Sequence, residues 1–308
     1  MTTKNGATAS MGSACLEKVE LAFREALQDV FGKLDWLPEA DDSIHRFHVP
    51  GDRPCTENGW YILHADGIPS GAFGSWKAGG TLTWSSRRPA NPLEAQLIAQ
   101  RTKQARLLRD AKQHQRQQLA VELAARWWRD ARRVDPDHPY LTAKQVHPYG
   151  LRQRGADLLV PLYSAGVLVN LQRISPDGGK RFLPGGQVKG AYSPLGGITP
   201  GHQLYVCEGW ATAATLHQHS GCAVAAAMNA GNLKPVAQAL RAKYGELIKL
   251  VIAGDDDRQT KGNPGRTAAM AAALAAGALV TLPAWPADAP PHLTDFNDLA
   301  NWKASHAC

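Results

Sequence analysis

LYVCEGWATAATLHQHSGCAVAAA at Leu204–Ala227 and IKLVIAGDDDR at Ile248–Arg258 are the two stretches that decide the fold. LYVC and LVIAG are short apolar runs of strand length, each closed by an acidic residue, and CAVAAA is a third such run. Between and after them, WATAATLHQH, PVAQALRAKY and the Ala-rich segment following Pro264 have the length and spacing of helices, and ALVTL reads as another strand. Strand and helix alternating in this way predict a mostly parallel sheet covered on both faces. Such a sheet places its active site at the carboxyl ends of its strands. Glu208 directly follows LYVC, and Asp255 and Asp257 follow LVIAG. Side chains alternate along an extended backbone, so Asp255 and Asp257 share one side and Asp256 takes the other.

Carboxylates gathered in this way repel: two of them ~5 Å apart at an effective dielectric of ~20 cost about 3 kcal/mol. No lysine or arginine lies within either strand end, so hard divalent ions with oxygen ligands, Mg²⁺ first and Mn²⁺ as a substitute, are the expected neutralisers. Taken alone, three consecutive aspartates are as well explained by a solvated loop. The wider pattern is more specific. E-G-W-A-T-A at Glu208–Ala213, D-D-D at Asp255–Asp257 with PGRTAA behind it, and DFNDL at Asp295–Leu299 together resemble the Toprim domain, the catalytic module shared by bacterial DnaG-type primases, topoisomerases and some nucleases. The match runs over residues 199–303. The resemblance implies that Glu208 is the family's glutamate, acting as metal ligand or general acid/base, and that Asp255 and Asp257 are its D-x-D metal pair. It further implies that Asp295 and Asp298 form the later acidic element. Where bacterial primases commonly carry an acidic residue four places after the glutamate, this chain has Thr212, so one ligand is expected from elsewhere, with Asp295 and Asp298 as candidates.

HPYLTAKQVHPYGLRQRGADLLVPLYSAGVLVNLQRISPDGGKRFLPGG, before the glutamate, resembles the amino-terminal half of the primase catalytic core. By that likeness Lys144, Arg152, Arg173, Lys180, Arg181 and Lys189 are expected to hold template and nucleoside triphosphate, with Arg173, Lys180 and Arg181 favoured because they flank a turn. GWYILHADGIPSGAFGSWKAG resembles the leading domain of Toprim proteins of phages, plasmids and integrated mobile elements. The implied activity is that of a DNA primase making RNA primers by two-metal nucleotidyl transfer. A Toprim nuclease and a catalytically silent single-stranded-DNA-binding protein are the alternatives. Single-stranded DNA and ribonucleoside triphosphates are the expected partners, and a replicative helicase is a candidate.

The remaining sequence frames this core. At 308 residues with a formal net charge of +7, the chain can hold several domains and suits a polyanionic partner. Its five cysteines form no C-x-x-C pair, and His45, His48 and Cys55 lack a fourth ligand, so neither a disulfide framework nor zinc is expected, and the cytoplasm is the expected compartment. No run reaches the ~18 apolar residues of a membrane span.

The expected organisation is a leader over 1–14, a small β-rich domain over 15–90 opened by an amphipathic helix, and a helical connector over 91–135. The first part of the primase core, an α+β subdomain, follows over 136–198, and the α/β Toprim domain over 199–308. In the β-rich domain Trp60, Tyr61, Phe73, Trp76 and Trp84 lie among Arg53, Lys77, Arg87 and Arg88. Two readings stay open for them: aromatics alternating into a core, or a base-stacking surface in which Trp60, Trp76, Lys77 and Arg87 contact single-stranded DNA.

Overall fold

A computed structural model describes residues 13–52, 54–75 and 79–306, and the chain divides into two compact units between His114 and Gln115. In the first, helix α1 (Ser13–Phe31) ends at Gly32, whose φ of 84° suits only glycine well and whose N–H returns to the Gln28 carbonyl at 2.9 Å. Strands β1 (His45–Phe47), β2 (Gly59–His64), β3 (Ser70–Ser75) and β4 (Gly79–Ser85) form an antiparallel sheet in chain order. β2 is apolar on both faces. Tyr61 and Leu63 pack on Val19, Phe23 and Leu27 of α1, whereas Trp60 and Ile62 pack with Ala72 and with Ala105 of the long helix α2 (Pro92–Asp130). Phe23 is the centre of an aromatic cluster, with Tyr61, Phe73 and Trp84 ring centroids at 5.9, 5.7 and 5.3 Å.

This packing corrects one expectation. Trp60 is 0% exposed, so its ring has no free face for a base. Arg87 is engaged as well, in a two-pronged pair with Glu94 at 2.8 Å on each prong. Trp76, Lys77 and Arg53 lie outside the described residues, as does most of the expected leader.

The second unit contains the end of α2, the short helix α3 (Pro139–Lys144) and two sheets. Strands β5 (Arg152–Arg154), β6 (Asp157–Ser164), β7 (Val167–Ile174) and β8 (Lys180–Phe182) are antiparallel in that order. One face of this sheet carries Leu158, Val160, Leu162 and Ile174 into a large core. The other carries Leu159, Leu171 and Leu183 against Ala124, Trp127 and Trp128 of α2.

The second sheet has the order β13-β12-β10-β11-β9 and is parallel except for β9. Its strands are β9 (Ser193–Leu195), β10 (Gln203–Cys207), β11 (Ala223–Ala226), β12 (Lys249–Ala253) and β13 (Leu279–Thr281). Cys207, Val224, Ala226 and Ala253 face the core that holds Trp210, Ala213 and Ala214 of helix α4 (Trp210–Ser220). The alternate residues Leu204, Val206, Ala225, Leu250 and Ile252 face helices α5 (Ala230–Tyr244) and α6 (Pro264–Ala276). Each of the larger buried side chains contributes roughly 1.5–3 kcal/mol through burial. Gly254 is required here, since a Cβ on it would lie 2.5 Å from the Ala269 Cβ. Helix α7 (Phe296–His306) completes the α/β unit. The two sheets meet where Tyr163 and Tyr192 exchange backbone hydrogen bonds of 2.8 and 3.0 Å.

Candidate active site

The chain leaves β10 toward α4 on one face of the sheet and leaves β12 toward α6 on the other, so the connections diverge between adjacent parallel strands. A crevice at such a divergence, beyond the strands' carboxyl ends, is where open α/β sheets bind ligands. Cys207 and Ala253 are paired in register, and Glu208 and Asp255 emerge just beyond them. The N–H of Ala230, the first residue of α5, holds the Glu208 carboxylate. Burial raises the Glu208 carboxyl above its ordinary value, and the charges of Asp257 and Asp295 add to the rise. Asp255 is pushed further, to about 8, by burial first and then by the charges of Glu208, Asp295, Asp257 and Asp298.

A turn behind Asp255 sorts the three aspartates. Asn263 caps α6. Its Oδ1 accepts from the Asp257 and Arg266 amides at 2.9 and 3.2 Å, and its Nδ2 donates to Asp256 Oδ1 at 2.7 Å. Asp256 is thereby held against the start of α6 and is 7% exposed. Asp257 Oδ2 accepts from the Gly265 N–H at 2.8 Å, so the positive end of α6 faces this carboxylate and not a free anion site. Only glycine fits at 265: a Cβ would lie 2.8 Å from the Asp255 carbonyl oxygen and 2.9 Å from Asp257 Oδ2.

The later acidic pair divides its work. Asp295 precedes α7 and accepts from the Asp298 N–H at 2.8 Å and from the Thr212 hydroxyl at 3.2 Å. Asp295 is thereby the cap of α7, and Asp298, at the third position of the helix, accepts from the Thr294 N–H at 3.1 Å and lies 3.7 Å from Lys144 Nζ. Burial and the Asp298 charge raise the Asp295 carboxyl. Thr212, 1% exposed, thus binds a carboxylate from the position where bacterial primases commonly carry an acid.

Of the six expected basic residues, the structure brings two to the carboxylates. Asn297 anchors α7 to α3 through the Lys144 carbonyl at 2.7 Å, and the Lys144 side chain reaches Asp298. Lys180 opposes Ile174 in the β7–β8 pairing and therefore shares the core-facing side. Burial and the charge of Lys144 lower its pKa, against the opposing pull of Asp295, Glu208 and Asp255. Arg173 and Arg181 oppose each other one residue away, so the two-residue period turns both to the other face, a correction to the grouping of all three at one site. On that face Arg173 pairs with Asp157, and Arg154 and Arg173 lie 4.2 and 5.7 Å from the Trp127 ring, while Arg152 lies 4.9 Å from that of Trp128. Lys189 is exposed, in the segment where Asn232 bonds the Gly190 amide and the Val188 and Ala191 carbonyls. Sequence reading did not single out Trp127, Trp128 or Arg154: both tryptophans lie in the stretch read as a helical connector, and only the fold brings Arg154 of β5 to the Trp127 ring.

Residues 203–305 match the family described as "Toprim domain". This segment is a Toprim domain. The chain is also 36% identical over 275 residues, 82% of its length, to a protein called "DNA primase TraC" from Escherichia coli, and 34% identical over 259 residues to a second of that name. It spans only 26% and 18% of the length of these two relatives. Among solved structures it is similar to "Structure of the DnaG catalytic core" at 13% identity and a TM-score of 0.37, over 63% of this chain and 78% of that one. A primase from Aquifex aeolicus, comprising zinc-binding and RNA polymerase domains, is similar at 13% identity and a TM-score of 0.39, over 92% and 81%.

A Toprim domain implies a divalent ion, and the donor set fits one. Asp255 Oδ1 is buried with no hydrogen-bond partner, an oxygen with lone pairs to give, and Glu208, Asp257 and Asp295 offer hard oxygens beside it. Among the described residues, ligand atoms converge within 4.8 Å only in Glu39, Asp41 and His45 of the first unit, without His48 or Cys55. The Toprim carboxylates are set wider than such a cage. That suits Mg²⁺, which keeps several waters and shares its shell with substrate phosphates. Lys144 and Lys180 precede the Toprim segment, so the candidate site draws on both sheets of the second unit.

Proposed function

We propose that this chain is the catalytic part of a DNA primase, joining ribonucleotides on a single-stranded DNA template. The observation that carries the reading is the juxtaposition of Lys144 and Lys180 with Glu208, Asp255, Asp257 and Asp295. Hydrolysis of DNA by water needs no cations reserved for a second anionic substrate, whereas nucleotidyl transfer must hold a triphosphate beside the metal-binding carboxylates. The relatives named DNA primase match across most of the chain, in keeping with that choice.

Glu208, Asp255 and Asp257 are the residues to hold Mg²⁺, or Mn²⁺ in its place, with Asp295 completing the set. When bound, such ions supply Lewis acidity to an attacking 3′-hydroxyl and to a departing pyrophosphate. Lys144 and Lys180 neutralise and orient the triphosphate. Thr212 and the Asp298 amide keep Asp295 in place. On the opposite face of the β5–β8 sheet, Arg152, Arg154, Arg173 and Arg181 with Trp127 and Trp128 combine cations and aromatic rings, the composition that binds single strands. We assign that face to the template.

The finer parts of the reading are a β-rich domain, a helical connector, the first part of the core and the Toprim domain, in that order. A cytoplasmic setting, independence from zinc, a helicase partner and a mobile-element origin belong to it too. Incubating the protein with single-stranded DNA, labelled ribonucleoside triphosphates and Mg²⁺ or Mn²⁺ tests the activity. Short labelled products that vanish in Glu208→Gln are expected. Metal-dependent shortening of the DNA, with no product, would make the chain a nuclease.

A further inference from the structure

Tyr140 sits on α3, is 4% exposed, and has a buried hydroxyl with no hydrogen-bond partner. Leaving such a group unpaired costs about 1–3 kcal/mol, so an unpaired one asks for a reason. Its surroundings supply one. The Asp295 charge acts on the hydroxyl, and the Lys180 ammonium lies 5.9 Å from the ring centroid. The Asn297 bond to the Lys144 carbonyl fastens α3 to the start of α7, next to Asp295. Each Asp295 oxygen already accepts one hydrogen bond, from the Asp298 amide or from Thr212, and each keeps a second lone pair.

We propose that Tyr140 is a positioning residue of the metal site, its hydroxyl being the donor that holds Asp295, directly or through one water, when the carboxylates bind a divalent ion. Its ring at the same time backs Lys180, so one side chain sets the spacing between a carboxylate and a triphosphate-binding cation. The inference rests on the divalent-ion reading of the Toprim site. It adds a residue from outside the Toprim segment, which ends its amino-terminal reach at residue 203.

Tyr140→Phe removes only the oxygen, and the test compares this variant with the wild type in urea unfolding, first in chelator and then across a titration of Mg²⁺ or Mn²⁺. Without metal the variant is expected to be as stable as the wild type or slightly more so, because an unpaired buried hydroxyl is gone. The ion concentration giving half of the metal-induced stabilisation is expected to rise about tenfold, the effect of a lost hydrogen bond to a charged group. An unchanged ion titration overturns the proposal. Loss of stability in chelator overturns it too, with or without a changed titration, since the hydroxyl would then serve a bond in the metal-free fold. If neither ion stabilises the wild type, the metal reading itself fails and the proposal falls with it.

Discussion

Replacing Asp255 by Asn should make the metal-free protein more stable while removing its response to metal. The folded Asp255 carboxyl is raised from 3.8 to about 8. At pH 7.5 folding must therefore draw a proton onto this group, which costs about 5 kcal/mol at 1.36 kcal/mol per unit. Asparagine escapes that cost, but its buried amide forfeits hydrogen bonds worth about 1–3 kcal/mol, leaving a net gain of about 2–4 kcal/mol. Because the folded state holds the proton more tightly, the contribution of Asp255 to stability is most favourable below about pH 4 and is lost as pH rises toward about 8. Burial raises Glu208 and Asp295 in the same direction. At pH 5 the advantage of the variant should shrink by about 3 kcal/mol. Urea unfolding in chelator at pH 5 and pH 7.5 measures both quantities, and repetition with Mg²⁺ should stabilise only the wild type. A variant less stable than the wild type at pH 7.5, or a difference that does not change with pH, would refute the idea that this carboxylate is held for an ion at the fold's expense.

Other outcomes follow from the two faces of the β5–β8 sheet and from the turn behind Asp255. Lys180→Met should raise the KM for nucleoside triphosphates at least about tenfold, the loss of one charge-assisted contact, and leave single-stranded DNA binding unchanged in a gel-shift assay. The double variant Trp127→Leu/Arg154→Ala should do the reverse, weakening DNA binding and flattening its dependence on salt by about one unit of logarithmic slope while sparing the nucleotide KM. Gly265→Ala must displace Asp255 or Asp257, so thermal unfolding should show a loss of about 1–3 kcal/mol and primer synthesis should be abolished.

The strand ends were legible in the sequence because LYVC and LVIAG are apolar on both sides and stop at carboxylates, a pattern that a buried parallel strand requires. Glu208, Asp255 and Asp257 could be named from it, and their convergence follows from the pairing of Cys207 with Ala253. What could not be read was register. Lys180 and Arg181 are neighbours in sequence, and only the pairing of Ile174 with Lys180 decides which of them meets the carboxylates. Trp60 posed a related difficulty, since a strand with apolar residues on both faces leaves no polar side to mark the surface; Ala105, far along the chain, covers it. Thr212 could be seen as a departure, but its bond to Asp295 spans a separation in sequence that no local pattern encodes.

The exchange of backbone hydrogen bonds between Tyr163 and Tyr192 has a mechanical consequence. It stitches the sheet that carries Lys180 to the sheet that carries Glu208, and the Asn297 tie from α7 to α3 adds a second seam. Lys144 and Lys180 are accordingly tied to the elements that carry the carboxylates by two seams. On the proposed function, substrate would meet a site whose spacing these seams have already set, with adjustment by rotamers and ions. Amide exchange in β6, β9 and β10 would then proceed through a single opening, at the rate at which the two seams come apart.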